Sequence, residues 1–171
     1  MKKQKNIIIT IVILLSICLL YWLRQELSAG SYPNAEKYTF SDNEQAVKNA
    51  INEFKQNNKE YIIPKVSINN QGSLDLLDEP KGDPPHWFGF YFYYKNENKI
   101  VFTVIRAAGK NKTEFFFVAT NKGLNIGDWK DINNDFSSHE NKIEKEKFEK
   151  EILKGIQNEL SIFKNKKTSD F

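Results

Sequence analysis

The sequence predicts an α+β domain that follows one transmembrane helix. Three observations lead to this prediction: an apolar run near the amino terminus, five short strand-like segments, and two amphipathic helices that enclose those segments. The expected order of the domain is α-β-β-β-β-β-α, an antiparallel sheet packed by two helices. The composition agrees, because 40% of the 171 residues are hydrophobic and 27% are charged, as in a globular protein.

The amino-terminal segment has the pattern of a signal anchor. Residues 1–6 form a basic tail, and Ile7 to Leu23 form an apolar run that would extend about 25 Å as a helix. Lysines precede the run, so the positive-inside rule predicts a single-pass protein with a cytoplasmic amino terminus and the domain on the extracytoplasmic side. Two alternatives stay open: a signal peptide cleaved near Ser28-Ala29-Gly30, or a buried helix.

The charge distribution argues against a nucleic-acid partner. The net charge is +3, but four basic residues and no acid lie in the first 24 residues, whereas the remainder carries 21 basic and 22 acidic residues. The single cysteine, Cys18, lies within the apolar run. The exported domain is therefore expected to contain no disulfide, no cysteine nucleophile and no thiolate metal site.

The domain is expected to begin after a tether over residues 24–40 and to cover 41–164, followed by a polar tail over 165–171. Its first helix is predicted by the capping-box spacing of Ser41 and Glu44. An apolar stripe at helical spacing follows, made of Val47, Ala50, Ile51 and Phe54.

Five strands are predicted between the helices. Segments 65–69 and 73–77 flank turn residues and indicate a hairpin, and 78–85 is a proline-rich loop. Segments 87–95, 99–107 and 113–120 are joined by short links and indicate an antiparallel meander.

The carboxyl-terminal part is predicted to be irregular over 122–138 and then helical. Ser137 and Glu140 repeat the capping-box spacing. The helix carries one apolar stripe, with Leu153 at its edge and Ile143 off it. The stripe consists of Phe148, Ile152, Ile156, Leu160 and Phe163.

The aromatic strand supplies the predicted binding residues. Its alternation places Phe88, Phe90, Phe92 and Tyr94 on one face and Trp87, Tyr91 and Tyr93 on the other. The phenylalanine face is the expected core. Trp87, Tyr91 and Tyr93 are the predicted partner-binding residues, because amphipathic rings are enriched in interfaces. The alternative is that a helix or loop covers this face or that it fills a second layer of core.

One motif resembles the start of a calcium loop. Asp131, Asn133 and Asp135 have the D-x-N-x-D spacing, but Phe136 replaces the required glycine and Lys142 replaces the bidentate glutamate. The three residues are a weak calcium-like candidate, and a turn whose Asp and Asn side chains hydrogen-bond to its own backbone explains the same residues. No other metal and no cofactor is expected.

The favoured function is a membrane-anchored, non-enzymatic domain that binds a protein or peptide through its aromatic sheet face. No residue is assigned a catalytic role. An alternative is an envelope hydrolase that uses carboxylates of the acidic loop near His86, with Asp75, Asp78, Glu79 and Asp83 as candidates. Another is a subunit or assembly factor of a membrane complex, in which the anchor itself is a contact surface. The layout is similar to that of small one-span envelope proteins, including immunity proteins against secreted toxins, although no motif supports that similarity.

Overall fold

The computed structural model describes residues 13–16 and 32–169, with side chains described as far as residue 165. The chain divides into two units, Met1–Pro33 and Asn34–Phe171. In the first unit residues 13–16 are helical, and the rest of the predicted anchor, Ile7 to Leu23, lies outside the described residues. Within the described ranges, no helix has both the length and the apolar character needed to cross a membrane.

The second unit is α+β with an antiparallel sheet, as the sequence predicts. Its strands are β1 (Glu36–Phe40), β2 (Val66–Ile68), β3 (Gln71–Leu74), β4 (Glu79–Lys81), β5 (Trp87–Tyr94), β6 (Lys99–Ala107), β7 (Thr113–Lys122), β8 (Asn125–Ile126) and β9 (Trp129–Asp131). Its helices are α1 (Glu44–Asn57), α2 (Ser138–Phe148) and α3 (Lys154–Ser169). A π-helical turn, Glu149–Leu153, joins α2 to α3, and 3₁₀ turns at Lys59–Tyr61 and Lys95–Glu97 lie beside β5.

The main sheet has the order β1-β7-β6-β5-β4, and β9 pairs with β7 beyond the end of β1. Strands β5, β6 and β7 form the predicted antiparallel meander. A second sheet has the order β3-β2-β8. Its β2–β3 hairpin lies where a hairpin is predicted, but the second strand is Gln71–Leu74 rather than 73–77. Asn69 and Asn70 between the strands have φ values of 52° and 59°. Two consecutive positive φ values are those of the type I′ turn that suits a two-residue hairpin loop.

Four strands lie where irregular chain is predicted from the sequence, and those predictions are wrong. Strand β4 lies within the predicted proline-rich loop 78–85 and pairs with β5 from Glu79–Gly89 to Lys81–Trp87. Strand β1 occupies the last five residues of the predicted tether 24–40, and it pairs with β7 from Glu36–Phe117 to Phe40–Thr113. Strands β8 and β9 lie in the stretch predicted as irregular. Strands of two to five residues are too short to display a period-two pattern, so their pairing partners determine them.

Both predicted helices are present, and side chains stabilise their first turns. Asn43, rather than Ser41, caps α1, because its Oδ1 accepts a hydrogen bond from the Ala46 N–H at 2.9 Å. The capping box of α2 is confirmed, since Ser137 and Glu140 exchange hydrogen bonds. Such caps typically contribute about 1 kcal/mol each.

The main core lies between the helices and one face of the large sheet. Phe90, Phe92 and Tyr94 of β5 are buried against the predicted stripes of both helices. The carboxyl-terminal stripe is buried as far as Leu160, whereas Phe163, the last residue of the predicted stripe, is 38% exposed. Burying each large apolar side chain contributes about 1.5–3 kcal/mol, which allows this domain to fold without disulfides.

Candidate functional site

The aromatic strand β5 alternates as predicted. Phe90 and Phe92 point to the helices, and Tyr91 and Tyr93 point to the opposite face. That opposite face is covered by apolar side chains, most of them from the second sheet and the chain beside it. The partly buried members of this cover are Ile63, Leu74, Leu76, Leu124 and Ile126, and Trp129 and Phe102 complete it.

The three predicted partner-binding residues are therefore buried. Tyr91 and Trp87 are each 9% exposed and Tyr93 is 8% exposed. Tyr91 stacks on Phe102 with ring centroids 4.9 Å apart, and the Arg106 guanidinium lies 4.6 Å from the Trp87 ring. The structure therefore agrees with the alternative in which this face is covered and forms a second layer of core. Partner binding by these residues remains a prediction that requires the cover to move.

The acidic loop near His86 holds its carboxylates in structural pairs. Asp78 Oδ2 lies 2.5 Å from Lys55 Nζ, and its Oδ1 accepts a hydrogen bond from the Tyr91 N–H at 3.0 Å. Glu79 pairs with Lys81 at 2.8 Å and Asp75 pairs with Lys65 at 3.4 Å. The His86 side chain is exposed, as is Asp83. Neither of the two cavities described below is lined by any of these residues.

The calcium-like residues form a loop held by its own side chains. Asp135 Oδ2 accepts a hydrogen bond from the Asp131 N–H at 2.8 Å, and Asn133 has a φ of 64°. The Lys145 ammonium donates to Asn133 Oδ1 at 3.1 Å, so a cationic side chain already contacts that oxygen. Burial and the neighbouring Asp135 raise the pKa of Asp131. Among the described residues, no three acidic, histidine or cysteine side chains are grouped as a metal site would require.

A cleft of about 570 Å³ lies at one end of the main sheet, and we refer to it as the lysine cleft. Its volume falls in the range of ordinary ligand sites. The floor is formed by strand residues and the walls by the surrounding turns and α2. The lining residues are Glu97, Lys99, Thr120, Lys122, Asp128, Lys130, Phe136 and Glu144.

A β-bulge in β7 determines which side chains reach this cleft. The β6–β7 register passes from Thr103–Phe117 to Phe102–Ala119, so Val118 is the additional residue. Because a bulge shifts the alternation by one residue, Thr120 and Lys122 lie on the helix face together with Phe117. Without the bulge, Lys122 would lie on the opposite face.

Asn121 holds the loop that completes the cleft. Its side chain is fully buried, and its Nδ2 donates to the carbonyl oxygens of Gly123 and Asn125 at 3.1 and 3.2 Å. Its Oδ1 accepts from the N–H groups of Gly127 and Asp128 at 3.3 and 3.1 Å. One buried amide thus fixes the course of the chain between β7 and β9, and with it the positions of the lining residues.

The lysines of the cleft differ in their partners. Lys99 Nζ lies 2.7 Å from Glu97 and 2.5 Å from Glu144, so its charge is balanced. Lys147 also contacts Glu97. In contrast, no ion pair within the described chain involves Lys122 or Lys130, although Lys130 Nζ lies 5.5 Å from the Phe136 ring. The cleft therefore contains two cations outside the ion pairs of the described residues. Lys130 also attracts the exposed Glu140 carboxyl, whose pKa is lowered first by its hydrogen bonds with Ser137 and further by this lysine.

A smaller cavity of about 150 Å³ is lined in part by Lys147. Burial lowers the pKa of Lys147, although the nearby Glu151 acts in the opposite direction. Tyr94 lines the cavity, and burial followed by Glu151 raises the pKa of its hydroxyl. The Tyr94 hydroxyl and Glu144 Oε2 are buried and have no hydrogen-bond partner within residues 32–165.

None of the lysine-cleft residues was among the site residues predicted from sequence. The signal that could have indicated them is the cross-strand pairing of two lysines, Lys99 and Lys122, which becomes visible only when the register is known.

Comparisons with known proteins find no matching family model, no matching curated protein and no matching solved structure. The site must therefore be interpreted from its own chemistry.

Proposed function

We propose that this protein is a non-enzymatic binding domain that holds a protein or peptide partner at the lysine cleft. The observation that carries the proposal is the pair of cations, Lys122 and Lys130, neither of which forms an ion pair among the described residues. They lie on paired strands, and rigid elements position binding residues more precisely than mobile loops do. The half-buried Phe136 ring beside them supplies apolar contact area.

The proposal includes the position of the domain relative to the membrane. We propose that residues 7–23 anchor the chain and hold the domain on the extracytoplasmic side, because the basic and apolar pattern of the amino terminus predicts that orientation. Protease added to the outside of intact spheroplasts should then digest the domain. Complete protection in spheroplasts whose inner leaflet remains sealed would contradict the orientation without affecting the cleft.

The binding proposal is tested by crosslinking in native membranes. The full-length chain is compared with Lys122→Glu/Lys130→Glu and with a control, Lys110→Glu/Lys112→Glu. The control makes the same charge change on exposed lysines in the turn at the opposite end of the β6–β7 pair. We expect the wild type and the control to form the same crosslinked adduct and the cleft variant to lose it. An identical adduct pattern in all three chains, or no adduct in any, would contradict the proposal.

A further inference from the structure

The spacing of the two unpaired lysines limits what can bind them. Lys130 lies directly opposite Thr120 in the β7–β9 ladder, and Lys122 is two residues beyond Thr120 on the same face. Lys122 and Lys130 are therefore diagonal neighbours on the two strands, and the backbone positions of such neighbours are about 7–8 Å apart. In an extended peptide, side chains two residues apart point the same way and are separated by about 6.6 Å, at roughly 3.3 Å per residue. The backbone spacing of the two lysines is thus close to the spacing of alternate residues in an extended peptide.

We propose that the lysine cleft recognises an extended acidic segment of a partner protein. In this segment two Asp or Glu residues separated by one residue pair with Lys122 and Lys130. The inference rests on the proposed binding function and names the chemistry of the partner. Pairing also relieves a local repulsion, because Lys99 and Lys122 face each other in the β6–β7 register and only Lys99 has carboxylate partners.

The acids around the cleft limit the partner to a short acidic stretch. Glu97, Asp128 and Glu144 line the same cleft, so a continuous polyanion such as nucleic acid would meet like charges there. Two carboxylates paired with Lys122 and Lys130 bring less negative charge to these acids than a continuous polyanion does. The nearly balanced charge beyond residue 24 is consistent with this selectivity.

The test uses three synthetic octapeptides of identical composition, each with two glutamates among glycine and serine. The glutamates are adjacent in the first peptide, separated by one residue in the second, and separated by four residues in the third. Each peptide is titrated into the full-length chain in detergent micelles, and the backbone amide shifts of β7 and β9 are followed by NMR. We expect the second peptide to bind about threefold or more tightly than the others, because only its glutamates have the backbone spacing of the two lysines when the peptide is extended.

Two double variants test whether the peptide binds at the lysine cleft. For the second peptide, Lys122→Gln/Lys130→Gln should raise the Kd about tenfold, whereas Lys110→Gln/Lys112→Gln should leave it unchanged. Raising the salt concentration from about 0.1 M to about 1 M should abolish binding, since the screening length falls from roughly 10 Å to roughly 3 Å. Equal affinities for the three peptides, or an unchanged Kd in the cleft variant, would overturn the inference.

The two proposals fail in distinguishable ways. If the crosslinked adduct depends on the cleft but none of the octapeptides binds, the acidic chemistry is wrong and the binding function stands. If the second peptide binds at the cleft but no adduct depends on it, the chemistry stands and the proposed function is wrong.

Discussion

The carboxylate of Asp78 accepts a hydrogen bond from the backbone N–H of Tyr91 at 3.0 Å. The β4–β5 ladder ends at the Glu79–Gly89 pair, so β4 has no residue opposite Tyr91. The Asp78 side chain therefore accepts the hydrogen bond of the Tyr91 N–H in place of a strand carbonyl. Its other oxygen pairs with Lys55 of α1 at 2.5 Å. From the sequence, Asp78 is a candidate for a hydrolase site and Tyr91 a candidate for a binding face, yet in the structure the two residues together close the edge of the sheet.

Asp78→Ala should destabilise the protein by about 2 kcal/mol. The change removes a charged acceptor and leaves a backbone N–H and an ammonium group without their partner. Asp75→Ala is the control, because Asp75 and Lys65 are both more than 60% exposed and such pairs contribute little. Urea denaturation at neutral pH measures both variants. Equal losses, or a loss below about 0.5 kcal/mol for Asp78→Ala, would show that this carboxylate is not structural.

Phe90→Ala and Tyr91→Ala should both cause large losses of stability. An open Trp/Tyr face would make only Phe90→Ala costly, but both side chains are buried, one against the helices and one under the second sheet. Truncating a buried aromatic side chain costs about 3–5 kcal/mol. Thermal melts decide between the two cases. Tyr91→Phe is the control that keeps the ring, and it should cost less than about 1 kcal/mol of stability. A small loss of stability in Tyr91→Ala would contradict the burial of this side chain under the second sheet.

Sequence patterns identified the parts of the fold that local chemistry determines. The alternation of β5 correctly separates Phe90 from Tyr91, and the Ser137–Glu140 capping box begins a helix as expected. These features depend on residues within a few positions of each other, so a window of the sequence contains them completely.

The candidate site was not predictable, because it depends on contacts between distant segments. Strand β2 pairs in parallel with β8, more than fifty residues later, and this pairing builds the sheet that covers Tyr91 and Tyr93. The bulge at Val118 moves Lys122 to the helix face, and nothing in the local sequence marks it. A one-residue shift exchanges the two faces of a strand, so the site residues could not be assigned without the register.

Gly155→Ala should destabilise the protein, even though alanine is about 1 kcal/mol more favourable than glycine in the interior of a helix. Gly155 lies where α3 meets α1, and an added Cβ would overlap the Phe54 ring. Overpacking of this kind costs about 1–3 kcal/mol. Asn158→Ala, at an exposed position of the same helix, is the control and should be neutral or stabilising. In a Phe54→Ala background the Gly155→Ala penalty should disappear; its persistence there would place its cause elsewhere.

The stability contributed by Glu114 should disappear in acid. Burial tends to raise the pKa of Glu114, but its hydrogen bond with Arg106, at 2.8 Å, and Lys37 together hold that pKa below the ordinary value of 4.5. A carboxyl whose folded-state pKa is depressed stabilises the fold above its unfolded-state pKa, and this contribution is lost as the pH falls through the folded-state pKa.

We therefore expect Glu114→Gln to be less stable than the wild type by about 1 kcal/mol at pH 7, with a difference that shrinks below pH 4.5. Chemical denaturation across the acidic range measures it. Glu146→Gln is the control, since Glu146 is 63% exposed and lies 3.7 Å from Lys142. A Glu114→Gln difference that stays constant down to the lowest accessible pH would contradict this assignment.

Tyr94→Phe should leave the protein as stable as the wild type or make it up to about 1 kcal/mol more stable. The Tyr94 hydroxyl is buried without a hydrogen-bond partner in the described chain, so its removal eliminates a desolvation cost and no bond. The ring, and the Lys147 ammonium 4.1 Å above it, are retained.

Tyr38→Phe is the matched comparison and should cost about 1 kcal/mol, because the Tyr38 hydroxyl donates to Glu149 Oε1 at 3.0 Å. Alkaline pH adds a second readout. Burial raises the pKa of Tyr94 above its ordinary value of 10, so the unfolded chain ionises first and wild-type stability falls as the pH rises beyond 10. Tyr94→Phe should show a shallower fall over that range. If it instead costs as much as Tyr38→Phe at neutral pH, the Tyr94 hydroxyl has a partner, and the small cavity beside Lys147 is where that partner must lie.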